Sequence, residues 1–331
     1  MTMTTDVLSD VLRAVRLTGA VYFDFELSSP WVAETPPSRE IAQLVMPGAD
    51  RVIEYHVIAR GSCWGHAVGQ DPIRLHEGDL ILFPQGDAHV LSSTPGMRGV
   101  PDLRPFLRPS TPLPLVYELG GGGPDRARIV CCFLGCDDRP YNPLLAALPN
   151  VIHLAAGGPK TTTGWLGTLV NIAVGEARNA RPGGENVLAR LSELMFVEAI
   201  RCHLAMLAPT HTGWLAGLRD PVVGQALTAL HSETKRSWTV ERLARLAGVS
   251  RSVLAERFTG LVGQPPMQYL ALWRMQLASR LLTEGGQVAA VADAVGYESE
   301  AAFSRAFKKL VGQAPATWRK GTIGAAASLQ S

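Results

Sequence analysis

Apolar residues follow three successive rhythms along the chain, and each predicts a different kind of element. At the start they recur every three or four positions (Val7, Leu8, Val11, Leu12, Val15), which marks a short amphipathic helix. From about Val21 to Cys136 they come in short runs broken by Gly, Pro and Asp, the pattern of strands and turns. Residues 52–68, V-I-E-Y-H-V-I-A-R-G-S-C-W-G-H-A-V, read as a hairpin turning at Arg60 and Gly61. Leu80–Phe83 reads as a strand, Pro84–Gly86 as a turn, and a further strand runs through His89. Repeated short strands of this spacing predict a sandwich or barrel. Beyond Pro143 the helical period returns, with helices over 162–178 and 186–207 separated by Arg181-Pro182-Gly183-Gly184. The second helix places Leu188, Leu191, Met195, Ala199, Cys202 and Met206 on one face, and Val187 and Leu194 widen it.

Between Thr239 and Phe307 one pattern is written twice. Residues 239–258, T-V-E-R-L-A-R-L-A-G-V-S-R-S-V-L-A-E-R-F, and residues 288–307, V-A-A-V-A-D-A-V-G-Y-E-S-E-A-A-F-S-R-A-F, each predict a helix, a glycine stop, and a second helix. The stops, Gly248 and Gly296, suit the left-handed conformation that ends a helix. Ser250 and Ser299 follow as N-caps. Leu254 and Phe258, or Phe303 and Phe307, then face the core at i and i+4. One such copy alone would be an ordinary helical hairpin; two copies with basic residues outside are a paired helix-turn-helix, whose second helix fits a DNA major groove. Residues 266–282 form a helical spacer with Tyr269, Leu270, Trp273, Leu277 and Leu281 in register. Reading helices held on one side of a duplex would meet grooves about 34 Å apart.

Charge supports that reading. The net charge is only +2, yet residues 219–321 hold 14 Lys and Arg against 8 Asp and Glu. The basic end fits a polyanion, with Arg251, Arg257, Arg274, Lys308 and Lys309 as candidate phosphate contacts. Residues 221–320 resemble the DNA-binding domain of the AraC/XylS family of bacterial transcription regulators. The resemblance is carried by L-A-R-L-A-G-V-S-R-S-V-L-A-E-R-F, by L-V-G-Q-P-P-M-Q-Y-L-A-L-W-R-M-Q-L-A, and by G-Y-E-S-E-A-A-F-S-R-A-F-K with G-x-x-P soon after. By position it implies base contacts from Ser252, Ala255 and Glu256 in the first reading helix, and from Glu300, Ala301, Ser304 and Arg305 in the second. Ala255 and Glu256 stand where other members carry longer polar or basic side chains, so the first helix is expected to specify less. Arg305 is the candidate for a guanine contact.

A chain of 331 residues, 47% hydrophobic, can bury a sizeable core in two domains. No secretory signal is visible and no apolar run reaches the length needed to span a bilayer, so no membrane partner is expected. Five cysteines (Cys63, Cys131, Cys132, Cys136, Cys202) without a framework spacing read as reduced thiols in a bacterial cytoplasm.

The spacing from Gly78 through Pro84 and Gly86 to His89 matches the second motif of the cupin superfamily. With Pro30-Trp31, Y-H-V-I-A-R-G-S-C-W and G-D-A-H-V-L, the segment resembles the cupin-type sensor domain of one AraC/XylS subgroup. Cupin enzymes take a metal through histidines and a glutamate. Here Glu54 and His89 fall at matching positions, the H-x-H pair before Glu54 is missing, and His56 shares the face of Glu54. Glu54, His56 and His89 are therefore candidate ligands for a divalent ion. Equally, the histidines could hydrogen-bond to each other, to backbone or to an organic ligand. Pocket candidates are Trp31, Tyr55, His56, Trp64, Phe83 and His89.

These readings predict an α+β chain with no enzymatic activity and no certain cofactor. Residues 1–142 would be a cupin-like sensing barrel, 143–218 a helical linker that pairs two subunits in a homodimer, and 219–321 the double helix-turn-helix, followed by a disordered tail. Residues 213–221 look like the connector into the DNA-binding domain. Expected partners are double-stranded promoter DNA, a small-molecule effector and RNA polymerase. The rival readings are a metal- or thiol-responsive regulator using Cys131, Cys132 and Cys136, and a cupin metalloenzyme fused to a DNA-binding domain. The incomplete first motif speaks against the enzyme, and the lack of a second cysteine pair speaks against an alkyl-transfer regulator.

Overall fold

The computed structural model describes residues 6–49, 51–107, 113–136, 140–156, 165–179, 181–208 and 211–320, so the expected tail lies outside the described residues. In chain order its elements begin with α1 (Val7–Ala14), β1 (Thr18–Ser28), β2 (Val32–Thr35), α2 (Ser38–Val45), β3 (Arg51–Ala67), β4 (Ile73–His76), β5 (Leu80–Phe83) and β6 (His89–Ser92). Then come β7 (Leu115–Gly120), β8 (Arg126–Cys136), α3 (Pro143–Ala147), β9 (Ile152–Leu154), α4 (Trp165–Arg178) and α5 (Gly184–Met206). The helical end holds α6 (Trp214–Arg219), α7 (Pro221–Ser232), α8 (Val240–Leu246), α9 (Arg251–Val262), α10 (Pro266–Thr283), α11 (Val288–Ala294) and α12 (Glu300–Val311). By packing these form two units. The described residues of 17–137 and 148–207 make one; those of 1–16, 138–147 and 208–331 make the other.

The first unit is built around β3. The hairpin expected at Arg60 and Gly61 does not form: β3 runs through both as one 17-residue strand. A bulge between Ile58 and Arg60 bends it instead, and Gly61 takes a positive φ of 76° against the backbone of Arg126. The strand thereby belongs to two sheets. Its first half pairs with β5 and β8, and its second half with β4 and β6. β8 continues to β1, and β1 to β7, giving the path β2-β6-β3-β8-β1-β7. The inner faces enclose an apolar cluster that includes Phe23, Trp31, Ile58, Phe83, Ile129 and Phe133.

Side chains alternate across β3, so Glu54 and His56 point inward while Tyr55 points to the opposite face. Tyr55 donates its hydroxyl to the Ser192 carbonyl at 2.8 Å, which pins α5 to the outer face of the sheet. Leu188, Leu191, Met195, Ala199 and Cys202 are buried there; Met206, expected on the same face, is 43% exposed. Gly19 permits the approach, because a Cβ on it would lie 2.5 Å from the Ala189 carbonyl. The helices read as a linker thus share the core of the strand unit.

The second unit is all α. The two patterned segments fold as anticipated: Ser250 accepts from the Val253 N–H and Ser299 from the Ala302 N–H, while Gly248 and Gly296 have φ of 68° and 82°. Removing either hydroxyl, as Ser250→Ala or Ser299→Ala, is expected to destabilise this unit by about 1 kcal/mol, read as a shift in a urea midpoint. The spacer helix α10 buries Tyr269, Leu270 and Trp273. Its 18 residues are about 27 Å long at ~1.5 Å per residue. Trp214, expected in a connector, is a core residue of this unit: its indole N–H donates to Tyr269 Oη at 2.9 Å, and Tyr269 Oη lies 2.7 Å from His231 Nε2. The amino-terminal helix belongs here as well. Gln276 donates to the Ala14 carbonyl at 3.2 Å and accepts from the Tyr141 N–H at 3.1 Å.

Candidate functional site

Two sites emerge, one in each unit. In the strand unit a cavity of about 330 Å³ opens inside the sheets. Its aromatic wall comes from Phe23 and Phe25 on β1, Tyr117 on β7 and Phe133 on β8, together with Trp31 and Phe106. Glu54, His56 and Cys131 line its inner end. Of the residues expected to line a pocket, Trp31 and His56 do so. Tyr55 is turned outward by the strand pleat, and Trp64 lies beyond the bulge with Arg74 over its ring at 5.2 Å. Phe83 and His89 stand outside the lining, their rings stacked at 3.9 Å beside His56. The wall residues Phe23, Phe25, Phe106, Tyr117 and Phe133 went unrecognised, although F-D-F at 23–25 carried the period-2 signal of an inward face.

The polar end has a definite hydrogen order. The Asp87 carbonyl can only accept, so His89 Nδ1 must carry the proton that donates to it at 3.1 Å. His89 Nε2 is then a bare lone pair, and the 2.8 Å contact to His56 Nε2 requires His56 to donate. That leaves His56 Nδ1 as acceptor for the Cys131 S–H at 2.9 Å. All three groups are neutral in this relay. Burial holds His56 well below the usual imidazole range, lowers His89 to about 4, and pushes the Cys131 thiol up.

Glu54 is the exception. It is 1% exposed, neither of its side-chain oxygens has a hydrogen-bond partner, and its nearest imidazole atom, His89 Nε2, is 3.8 Å from Oε2. Burial raises its carboxyl well above the ordinary range. Donor atoms of Glu54, His56 and His89 lie within 4.8 Å of one another, a set that suits a divalent ion in kind. Two imidazoles on one tetrahedral ion would stand about 3.3 Å apart, from bonds of ~2.0–2.1 Å. An ion there would therefore replace the 2.8 Å His56–His89 hydrogen bond.

In the helical unit, α9 and α12 present their N-terminal turns outward. Ser252 and Glu256 are exposed and Ala255 is half-buried; on α12 Glu300, Ala301 and Arg305 are exposed and Ser304 is half-buried. Val253, 44% exposed on α9, adds an apolar side chain to that surface which sequence reasoning passed over. The basic candidates divide. Among the described residues, Arg305, Lys308 and Lys309 make no hydrogen bond or ion pair. Arg251 has only an exposed pair with Glu241 at 2.9 Å, which is readily exchanged. Arg257 is instead held by Asp220 at 2.6 and 2.8 Å. Arg274 donates to the Thr234 and Arg236 carbonyls and sits 5.8 Å from the Tyr297 ring centre.

Residues 6–205 match the family model described as cupin, and residues 243–321 that described as helix-turn-helix domain. The chain is 38% identical over 282 residues to an AraC-like transcription regulator of Streptomyces lividans, covering 82% of this chain and 88% of that protein. It is 30% identical over 320 residues to the HTH-type transcriptional regulator AlkR of Acinetobacter baylyi, covering 95% and 99%. Among solved structures, the DNA-binding domain of AdpA in complex with a target DNA is similar at 34% identity over 31% of this chain and 92% of that chain, with a TM-score of 0.29. No described helix is long and apolar enough to cross a membrane.

Proposed function

We propose that this chain, which belongs to the AraC family of DNA-binding transcription regulators and carries a cupin-type ligand-binding domain, grips promoter DNA with α9 and α12 and adjusts that grip to an effector held in its barrel. The observation that carries the first half is the pair of serine-capped helices, the second with Arg305, Lys308 and Lys309 unengaged. Base reading is assigned to Ser252, Ala255 and Glu256 on α9 and to Glu300, Ala301, Ser304 and Arg305 on α12. Phosphate anchoring falls to Arg251, Lys308 and Lys309. Selection of bound duplexes from random DNA, with and without small-metabolite extracts, tests both halves. A bipartite site with halves about 34 Å apart, enriched differently in the presence of extract, is expected. Enrichment of no sequence would sink the DNA half, and identical enrichment in every extract the effector half.

The functional particle is a homodimer on this reading, working in the reducing cytoplasm, where the five buried free cysteines would persist. Support for pairing comes from α4 and α5, each with exposed apolar residues at i and i+7: Trp165 and Ile172 are 62% and 48% exposed, Val187 and Leu194 are 44% and 49%. Leu194→Glu is expected to convert the dimer to monomer in analytical ultracentrifugation without lowering the melting temperature of the strand unit. An unchanged sedimentation coefficient would place the subunit contact elsewhere.

A further inference from the structure

We infer that the barrel pocket accepts an apolar molecule bearing one hydrogen-bond-donating group, a neutral N–H or O–H or an ammonium, and rejects anions. The inference rests on the reading of the barrel as the effector site. Its basis is an inventory of charge and open hydrogen-bonding capacity around the cavity.

The body of such a guest would meet rings on most sides. Phe25 and Tyr117 stack at 5.8 Å, Phe23 meets Phe106 edge-on at 5.2 Å, and Phe133 meets Phe106 at 6.1 Å. Rings offer a negative face, which tolerates a neutral molecule, attracts a cation and repels an anion. Three carboxylates share the lining, whereas no Lys or Arg lines it among the described residues.

Two of those carboxylates are already paired. Glu34 accepts from Arg98 at 2.6 and 2.8 Å and from the Gly99 N–H at 3.0 Å; Asp102 accepts from Arg104 at 2.7 to 3.0 Å. The polar atoms of His56 and Cys131 are spent on the relay toward His89. Among the buried polar side-chain atoms of the described lining, only the two Glu54 oxygens have no partner; the Thr35 and Tyr117 hydroxyls are half-buried. An unpaired buried polar group is costly, so a guest that supplies a donor relieves an existing penalty. An anionic guest would do the reverse, burying a charge that no Lys or Arg of the described lining offsets. The cavity, about 330 Å³, lies at the small end of the ~300–1,000 Å³ typical of ligand pockets.

Calorimetry on the chelator-treated full-length protein tests this with probes of one skeleton: 2-naphthol, 2-naphthylmethylammonium, naphthalene and 2-naphthoate, and in parallel 1-octanol and octanoate. In at least one skeleton a donor-bearing probe should bind at least tenfold more tightly than the carboxylate. Glu54→Leu should reduce 2-naphthol to the affinity of naphthalene, and Glu54→Gln should weaken the ammonium probe tenfold while sparing the alcohol. The ammonium and alcohol arms together distinguish ion pairing at Glu54 from neutral hydrogen bonding. A carboxylate that binds as tightly as its donor counterpart overturns the inference and leaves the effector pocket standing. So does an unchanged naphthol-to-naphthalene ratio in Glu54→Leu protein of normal melting temperature. If no probe of either skeleton binds, the effector pocket fails with it.

Discussion

Replacing Phe307 with alanine is expected to destabilise the helical unit by about 3–5 kcal/mol, the range found when a buried aromatic ring is truncated and its cavity cannot collapse. Phe307 is fully buried, with Phe303 at 5.5 Å and Trp318 at 6.1 Å between ring centres. Around it pack Met275, Ala278 and Leu282 from α10 and Val291, Ala292 and Val295 from α11 or its end. These elements hold α12 outward, so the substitution removes the support of a reading helix. Domains are stable by only about 5–15 kcal/mol, and the loss would leave a large unfolded fraction at growth temperature. Urea denaturation supplies the check, with Lys308→Ala as a surface control expected to stay within about 0.5 kcal/mol. A Phe307 shift no larger than the control's would mean that the ring is not enclosed as described.

Arg305→Ala and Lys309→Ala should weaken DNA binding in different ways. Both side chains are exposed on α12, but Arg305 sits in its second turn and Lys309 in its last. The first is proposed to reach a base edge, where a bidentate guanidinium–guanine contact discriminates by about 1–3 kcal/mol. Its loss should relax preference at one base pair and reduce affinity for the selected site by roughly 5- to 150-fold. The second is proposed to contact the DNA backbone, and its loss should weaken all duplexes alike while flattening the salt dependence by about one phosphate's worth. Binding isotherms on matched and single-mismatch duplexes at several salt concentrations separate the two. Identical behaviour of both variants would remove the distinction between reader and anchor.

The helical half was largely legible because its determinants are local. Ser250, Ser299, Gly248 and Gly296 each act within a few residues, and the structure shows their hydrogen bonds and positive φ where the pattern anticipated them. The intramolecular contacts of Arg257 and Arg274 were not legible, for the opposite reason. Their partners, Asp220 and the Thr234 and Arg236 carbonyls, lie 37 to 40 positions away, and nothing near either arginine announces them. In the strand half, Glu54, His56 and His89 do come together as a cluster, since β3 and the segment before β6 each carry a local motif. The expected hairpin failed because Arg60-Gly61 has the composition of a turn, whereas pairing with the distant β8 resumes past the bulge and carries the strand on. Tyr55 could have been rejected on the strand period alone, being flanked by two inward residues. The aromatic wall could not be assembled in advance: Phe23, Phe106, Tyr117 and Phe133 meet only through the sheet order.

Gln276 sets a limit on how this protein can be cut. Its side-chain amide is 1% exposed and bridges Ala14 and Tyr141, two segments encoded more than a hundred positions upstream. An excised carboxyl-terminal fragment beginning near residue 211 would carry that amide into its interior with both hydrogen bonds removed, and Arg280 would lose its contact with the Arg13 carbonyl. Fragments intended for crystallography or DNA selection should therefore restore those companions, for instance by supplying residues 6–16 and 140–147 as tethered segments.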